Sequence, residues 1–210
     1  MDGLEQEPDA AATIFGDGID RARAFTRNLA REGELRGLIG PLELPRLWSR
    51  HILNSAVMAP LIPMGRIGDV GSGAGLPGIV GAIARPDVEW VLIEPMERRT
   101  QWLQEQVNEL GLTNVEVFRG RSQDWTRGAV LDAVTARAVS ALRTLLPITA
   151  PLVRDGGELL LLKGAAADAE IEKAAKQARS QRVVDLRVEV VGEDVLETPT
   201  RVVRGRVQRS

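Results

Sequence analysis

At 210 residues, with 44% hydrophobic residues and a net charge of −2, the chain has the size and core content of one globular domain with a short extension. It has no cysteine and a single histidine, which excludes disulfides, thiolate metal sites, cysteine nucleophiles and histidine metal clusters, so no metal is expected. No apolar run is long enough to span a bilayer and the start is acidic rather than signal-like, so a cytoplasmic protein without membrane contact is expected.

Charge is unevenly spread. The first twenty residues hold six acidic side chains and no basic one, so the remainder carries all 27 basic residues against 23 of the 29 acidic ones. Of the basic residues, only Lys163, Lys173 and Lys176 are lysine. Arginine suits phosphate and base stacking, which favours an RNA substrate, although genome composition produces the same bias.

In chain order, residues 1–13 are acidic and small, and read as disordered. Residues 14–64 read as a helical extension that packs as one unit with a domain over 65–210. Ile19, Ala22, Phe25 and Leu29 fall on one face of a helix, with Arg23, Arg27 and Arg31 outward. Glycines at 33, 37 and 40 interrupt it. A second helix is predicted from about Pro45 to Ala59, with Leu47, His51, Asn54 and Ser55 close together on its surface. Beyond Pro63 the pattern alternates. Strands are predicted over Ile67–Val70, Val88–Ile93, Val115–Phe118, Val130–Ala136 and Glu158–Leu162, and helices over Leu76–Ala84, Glu97–Leu110, Leu142–Leu152 and Ala166–Ser180. Such alternation predicts an α/β fold with a doubly wound, mostly parallel sheet. Val183–Val191 and Thr200–Val207 have no helix between them and predict a closing antiparallel hairpin.

The stretch from Ile67 to Gly78 runs from a strand through Gly71, Gly73, Gly75 and Gly78 into a helix start. Glycines let a ligand lie against the backbone, and a helix start offers free N–H groups. A G-x-G-x-x-G match alone is weak and fits a dinucleotide. Asp69 at the strand end would repel a pyrophosphate and suits a cationic ligand such as S-adenosylmethionine. Glu94 closes the next strand, where an acid accepts hydrogen bonds from ribose hydroxyls; it could also be a solvated acid. Ser122 and Gln123 follow the third strand, near an adenine or in a plain surface turn. Arg137 ends the fourth strand and Lys163 the fifth, each facing a ligand or making a structural contact. His51, flanked by Arg50 and Asn54, is the only group expected to titrate near neutrality, in a site role or in packing. Trp48 could stack on a base or belong to the core.

Four blocks taken together resemble the bacterial 16S ribosomal RNA guanine-N7 methyltransferases, also called glucose-inhibited division protein B. They are Arg50-His51-Ile52-Leu53-Asn54-Ser55, the loop from Asp69 to Ile79, Arg137-Ala138 and Leu162-Lys163-Gly164. The resemblance covers roughly Arg46 to Gly164. It implies a Rossmann-like class I methyltransferase fold with N-terminal helices and S-adenosylmethionine as cofactor. The substrate it implies is 16S ribosomal RNA, in a loop near the decoding centre, within the small ribosomal subunit or an assembly intermediate. A monomer is expected. Family contacts to the cofactor would fall on Gly71, Leu76, Ser122, Gln123 and Arg137, with Glu94 as the ribose acid; Asp69, Gly73 and Gly75 complete the loop. Arg50, His51, Asn54, Arg137 and Lys163 would position the substrate. The family usually has Asp where Asn54 stands and Ala-Glu or Val-Glu at Ser122-Gln123. Its Asn-Leu-Thr motif is replaced here by Gly37-Leu38-Ile39-Gly40-Pro41.

The chemistry accords with what the chain lacks. Guanine N7 carries a lone pair and no proton, so methyl transfer to it needs no general acid or base and no covalent intermediate. Two other readings share the loop: a methyltransferase acting on a small molecule or protein, and an NAD(P)-binding protein.

Overall fold

The computed structural model describes residues 3–125 and 130–209. Seven strands form one sheet: β1 (Arg66–Val70), β2 (Glu89–Glu94), β3 (Val115–Arg119), β4 (Leu131–Arg137), β5 (Val153–Lys163), β6 (Val183–Val191) and β7 (Thr200–Val207). Their order is β3-β2-β1-β4-β5-β7-β6. The first five are parallel, and β7 runs antiparallel to both β5 and β6.

Side chains on successive strand residues alternate between two apolar layers. Trp90 and Leu92 pack on one side and Val91 and Ile93 on the other; Leu160 and Leu162 oppose Leu159 and Leu161 in the same way. Both faces are covered, which is why these strands read as unbroken apolar runs. One layer takes α2 (Ile19–Glu32), α4 (Gly78–Ala84) and α5 (Glu97–Glu109). The other takes α6 (Leu142–Thr149) and α7 (Ala167–Ser180). Phe25 and Leu29 of α2 and Leu47 and Ile52 beyond it belong to the same buried cluster as Ile79 and Trp90, so the N-terminal segment shares the core of the sheet.

Of the stretch 1–13, residues 1 and 2 lie outside the described residues, and residues 3–13 are not a disordered tail. A short helix, α1 (Ala10–Phe15), buries Ala11 and Phe15. Glu5 accepts the Ser49 N–H at 3.0 Å, and Glu7 takes a two-pronged ion pair from Arg23 at 2.7 and 2.8 Å. These acids have partners far along the chain, which composition does not reveal.

The predicted helix over Pro45–Ala59 is instead a composite. A 3-10 turn (Leu44–Arg46) leads into a π-helix (Trp48–Leu53), one α turn, α3 (Asn54–Ala56), and a further 3-10 turn (Ala59–Leu61). Short π segments are frequent at functional sites because the extra residue re-aims side chains. The expected surface stripe is split: Leu47 and Ser55 are buried, while His51 and Asn54 face the clefts at the strand ends. Trp48 lies in the core.

The strand order reverses between β1 and β4. In open α/β sheets that switch point, at the carboxyl ends of the strands, is where ligands bind. The glycine loop after β1, Glu94 at the end of β2, Ser122 after β3, Arg137 at the end of β4 and Lys163 at the end of β5 all sit at that edge.

Candidate functional site

Two cavities adjoin at this edge. The first, of about 660 Å³, is walled by Gly71, Gly73 and Leu76 from the loop, Glu94 from β2, Ser122 and Gln123 after β3, and Arg137 from β4. Leu38, Ile39 and Glu43 of the N-terminal segment complete it. The second, of about 610 Å³, is walled by Arg46, Arg50 and Asn54, by Lys163, and by Glu197 to Arg201 before and within β7. His51, Arg137 and Ala138 line both.

The loop is held from three sides. The Glu94 carboxylate, 2% exposed, accepts the Gly73 N–H and the Met96 N–H, each at 3.0 Å. Trp102 of α5 donates its indole N–H to the Ala74 carbonyl at 3.0 Å. Beneath the loop, Asp69 accepts the Gly78 N–H at 3.0 Å and so closes the start of α4. Gly71 has φ +72°, and a Cβ there would come within 2.8 Å of Val139. At Gly78 a Cβ would lie 2.3 Å from Leu92 and 2.6 Å from the Asp69 carboxylate, so helix and strand approach only because that residue has no side chain.

Asp69 therefore does not do what its sequence position implied. It is fully buried and lines neither cavity; it holds the loop rather than facing a cationic ligand. Gly75 is also off the cavity wall, packed against Ile79 and Phe25. Burial pushes the Asp69 carboxyl up to about 7, opposed by hydrogen bonding from the Ser72 side and from Gly78 and by the charge of Arg137. Its folded value exceeds the roughly 3.9 of an unfolded aspartate. The folded state thus binds more protons between about pH 4 and 7, and stability falls as pH rises through that window. Asp69→Asn is expected to flatten this slope, read as a smaller change in Tm between pH 5 and pH 7.5 than in the parent; an unchanged slope would assign the pH dependence elsewhere.

Lys163 is also not free to meet a substrate phosphate. Its side chain is 8% exposed, and Nζ lies 2.7 Å from the Ser140 carbonyl and 2.8 Å from Glu170 of α7. Glu170 in turn accepts the Leu142 N–H at 2.7 Å, so the three tie β5, α6 and α7 together. Asn54 donates to Thr200 Oγ1 at 2.7 Å, and that hydroxyl donates to the Asn54 carbonyl at 3.1 Å, pinning the N-terminal segment to β7.

Arg137 donates to His51 Nδ1 at 2.9 Å and to the Arg50 carbonyl at 3.3 Å. Burial lowers its guanidinium to about 10, which leaves it charged at neutrality. His51 Nε2 lies 2.6 Å from Glu43. Burial depresses His51 below its ordinary value, opposed by Glu43 and reinforced by Arg137 and Arg50. Against the effect of burial, hydrogen bonds from His51 and Arg46 hold Glu43 below the usual carboxylate range. Arg50 itself is exposed.

Sequence reasoning missed Glu43, Arg99 and Trp102. Arg99 lines the first cavity with Nη1 4.0 Å from Glu94, and its buried Nε has no hydrogen-bond partner among the described residues. Its place one turn into the helix after Glu94 was the available signal. Glu43 carried none, because its contact with His51 depends on the π segment, whose turn was not foreseen. Among the described residues no group of three or more acids and histidines could hold a metal, and no helix is long and apolar enough to cross a membrane.

The model of one protein family, rRNA small subunit methyltransferase G, matches residues 19–198. The chain is 64% identical over 207 residues to the ribosomal RNA small subunit methyltransferase G of Leifsonia xyli subsp. xyli, covering 99% of each. It is 45% identical to the protein of that name from Corynebacterium efficiens, covering 96% of this chain and 89% of that one. Among solved structures, the S-adenosylmethionine-dependent methyltransferase SibL superposes with a TM-score of 0.61 at 17% identity, covering 96% of this chain and 70% of that one. M. jannaschii TYW2 in complex with AdoMet does so with a TM-score of 0.59 at 20% identity, covering 78% of each. These likenesses establish the class I methyltransferase fold.

Proposed function

The chain belongs to the rRNA small subunit methyltransferase G family, and from that premise we propose that it transfers a methyl group from S-adenosylmethionine to N7 of a guanine in 16S ribosomal RNA. It is an S-adenosylmethionine-dependent enzyme of that family, with ribosomal RNA as its class of substrate. The finer assignments proposed with it are action on the small subunit or its assembly intermediate, a monomeric state and a cytoplasmic setting.

The observation that carries the reading is the wall shared by the two cavities. The first has the size of a drug-like ligand site, bare backbone at Gly71 and Gly73, and a buried carboxylate with lone pairs left beyond its two backbone contacts. That donor set fits an adenosine: Glu94 for the ribose hydroxyls, Ser122 and Gln123 for the base, and the loop N–H groups for the amino-acid end. The second cavity is bordered by Arg46, Arg50 and Arg201, which suit the phosphates flanking a target nucleotide.

Bound S-adenosylmethionine supplies an electrophilic methyl group on a sulfonium. The protein supplies position: it brings the base to the shared wall with N7 in line, at about 3 Å, and excludes water from the path. No side chain needs to remove a proton, which accords with a neutral His51 already engaged on both ring nitrogens. The guanine gains positive charge as the methyl arrives, so a cationic Arg137 stabilises the phosphates or the cofactor carboxylate rather than the ring.

The test is to incubate the purified protein with tritiated S-adenosylmethionine and small ribosomal subunits from cells lacking the activity, then cleave the RNA at 7-methylguanine. Label with a single cleavage site is expected. Unlabelled RNA, with S-adenosylhomocysteine binding intact, would move the substrate to a small molecule or a protein.

A further inference from the structure

Arginine has only donors, so the 2.9 Å contact between Arg137 and His51 requires Nδ1 to be an unprotonated acceptor. A neutral imidazole then carries its proton on Nε2, and that N–H points at Glu43 Oε2, 2.6 Å away. Glu43 and His51 are both largely shielded, with side chains 16% and 13% exposed. Glu43 lies in the segment covering the first cavity, His51 in the π-helix and Arg137 at the end of β4, so two successive contacts join three separate parts of the chain beside the first cavity.

We propose that Glu43 is a positioning residue that, by holding His51 in the Nε2–H tautomer, keeps a lone pair on Nδ1 and so anchors the Arg137 guanidinium between the cofactor and target-base cavities. The role of Arg137 in this scheme rests on the function proposed above; the tautomer does not. The other tautomer would present N–H to N–H at Arg137, and a flipped ring would present Cδ2–H in place of the Nδ1 lone pair; either would release it. Protonation of Nδ1 would do the same by placing two cations side by side. The charged groups around the ring are Glu43, with Arg46 bound behind it, Arg50 on the same segment and Arg137 opposite. Activity should therefore fall on the acid side as His51 takes up a proton. Because burial depresses its proton affinity, that fall should come below the ordinary histidine range.

The chain contains a single histidine, so ring 15N signals of protein labelled with 15N-histidine come from His51 alone. At pH 7.5 we expect the Nε2–H tautomer in the wild type, and a mixture of tautomers in Glu43→Ala. Glu43→Ala should lower kcat about tenfold or more, with the dissociation constant for S-adenosylhomocysteine changed less than threefold. Glu43→Gln retains a carbonyl acceptor for Nε2–H without the charge. It should keep kcat within about threefold at pH 7.5 and shift the acid limb of the kcat profile to lower pH, since the carboxylate that favours the imidazolium is gone. A wild-type ring in the Nδ1–H form would overturn the proposal, as would a Glu43→Ala protein with unaltered kcat. The first measurement needs no substrate, so a failure of the RNA assignment and a failure of this proposal are separable.

Discussion

Arg137→Ala is expected to reduce kcat/KM for ribosomal RNA methylation at least about a hundredfold, the scale of a lost positioning contact, while the protein stays folded. Among the described residues, the guanidinium is the one charged group placed on the wall of both cavities, beside the neutral His51. Its fold contribution has the opposite sign. Burial lowers its value to about 10, so the folded environment disfavours its charge relative to water. Removing it should therefore leave Tm little changed, and a melting curve recorded beside the kinetics separates the two effects. Arg137→Lys should not restore activity, because a single ammonium cannot keep both the His51 and the Arg50 contacts in the planar geometry of a guanidinium. Retained activity in Arg137→Ala would make the residue structural.

Glu94→Ala is expected to raise the dissociation constant for S-adenosylhomocysteine at least about tenfold, a loss of about 1.4 kcal/mol or more. Two losses combine. The carboxylate fastens the glycine loop through the Gly73 N–H and the start of α5 through the Met96 N–H, and it lines the first cavity. Charge-assisted hydrogen bonds to ribose hydroxyls contribute about 1.5–3 kcal/mol. Isothermal titration on the folded variant reads the sum, and an unchanged constant would remove the ribose assignment.

Much of this arrangement is legible in the order of the residues. Val183–Val191 and Thr200–Val207 are strands over the bounds predicted for them, and α2 begins at Ile19 as its apolar spacing implied. The remaining strands and helices of the sheet differ by one to a few residues at their ends, where local signals are weakest; β5 extends furthest, starting at Val153. The glycine loop, Glu94, Ser122 and Arg137 meet at one edge because the parallel order puts every strand's carboxyl end on the same side.

Asp69 is instructive, because it pointed toward the right cofactor for a reason that does not hold. Charge favours the cationic ligand only if an acid at a strand end faces it. Strand residues alternate, and here the loop folds back over the carboxylate to place Gly78 on it. Lys163 takes the structural one of its two readings, through a partner, Glu170, that lies on the next helix and is not announced by the local stretch.

From residue order alone came the features set by neighbours within a turn or a strand: periodicity, glycine punctuation, and the absence of cysteine that limits the chemistry. Packing settled the features that depend on distant partners: the π segment that turns His51 toward Arg137, the ordering of residues 3–13 by Arg23 and Ser49, and the burial of Asp69. Hydrophobic periodicity repeats along a chain and can be read locally. The charge state and reach of a polar side chain depend on what lies against it in space, and those contacts join different elements of the fold.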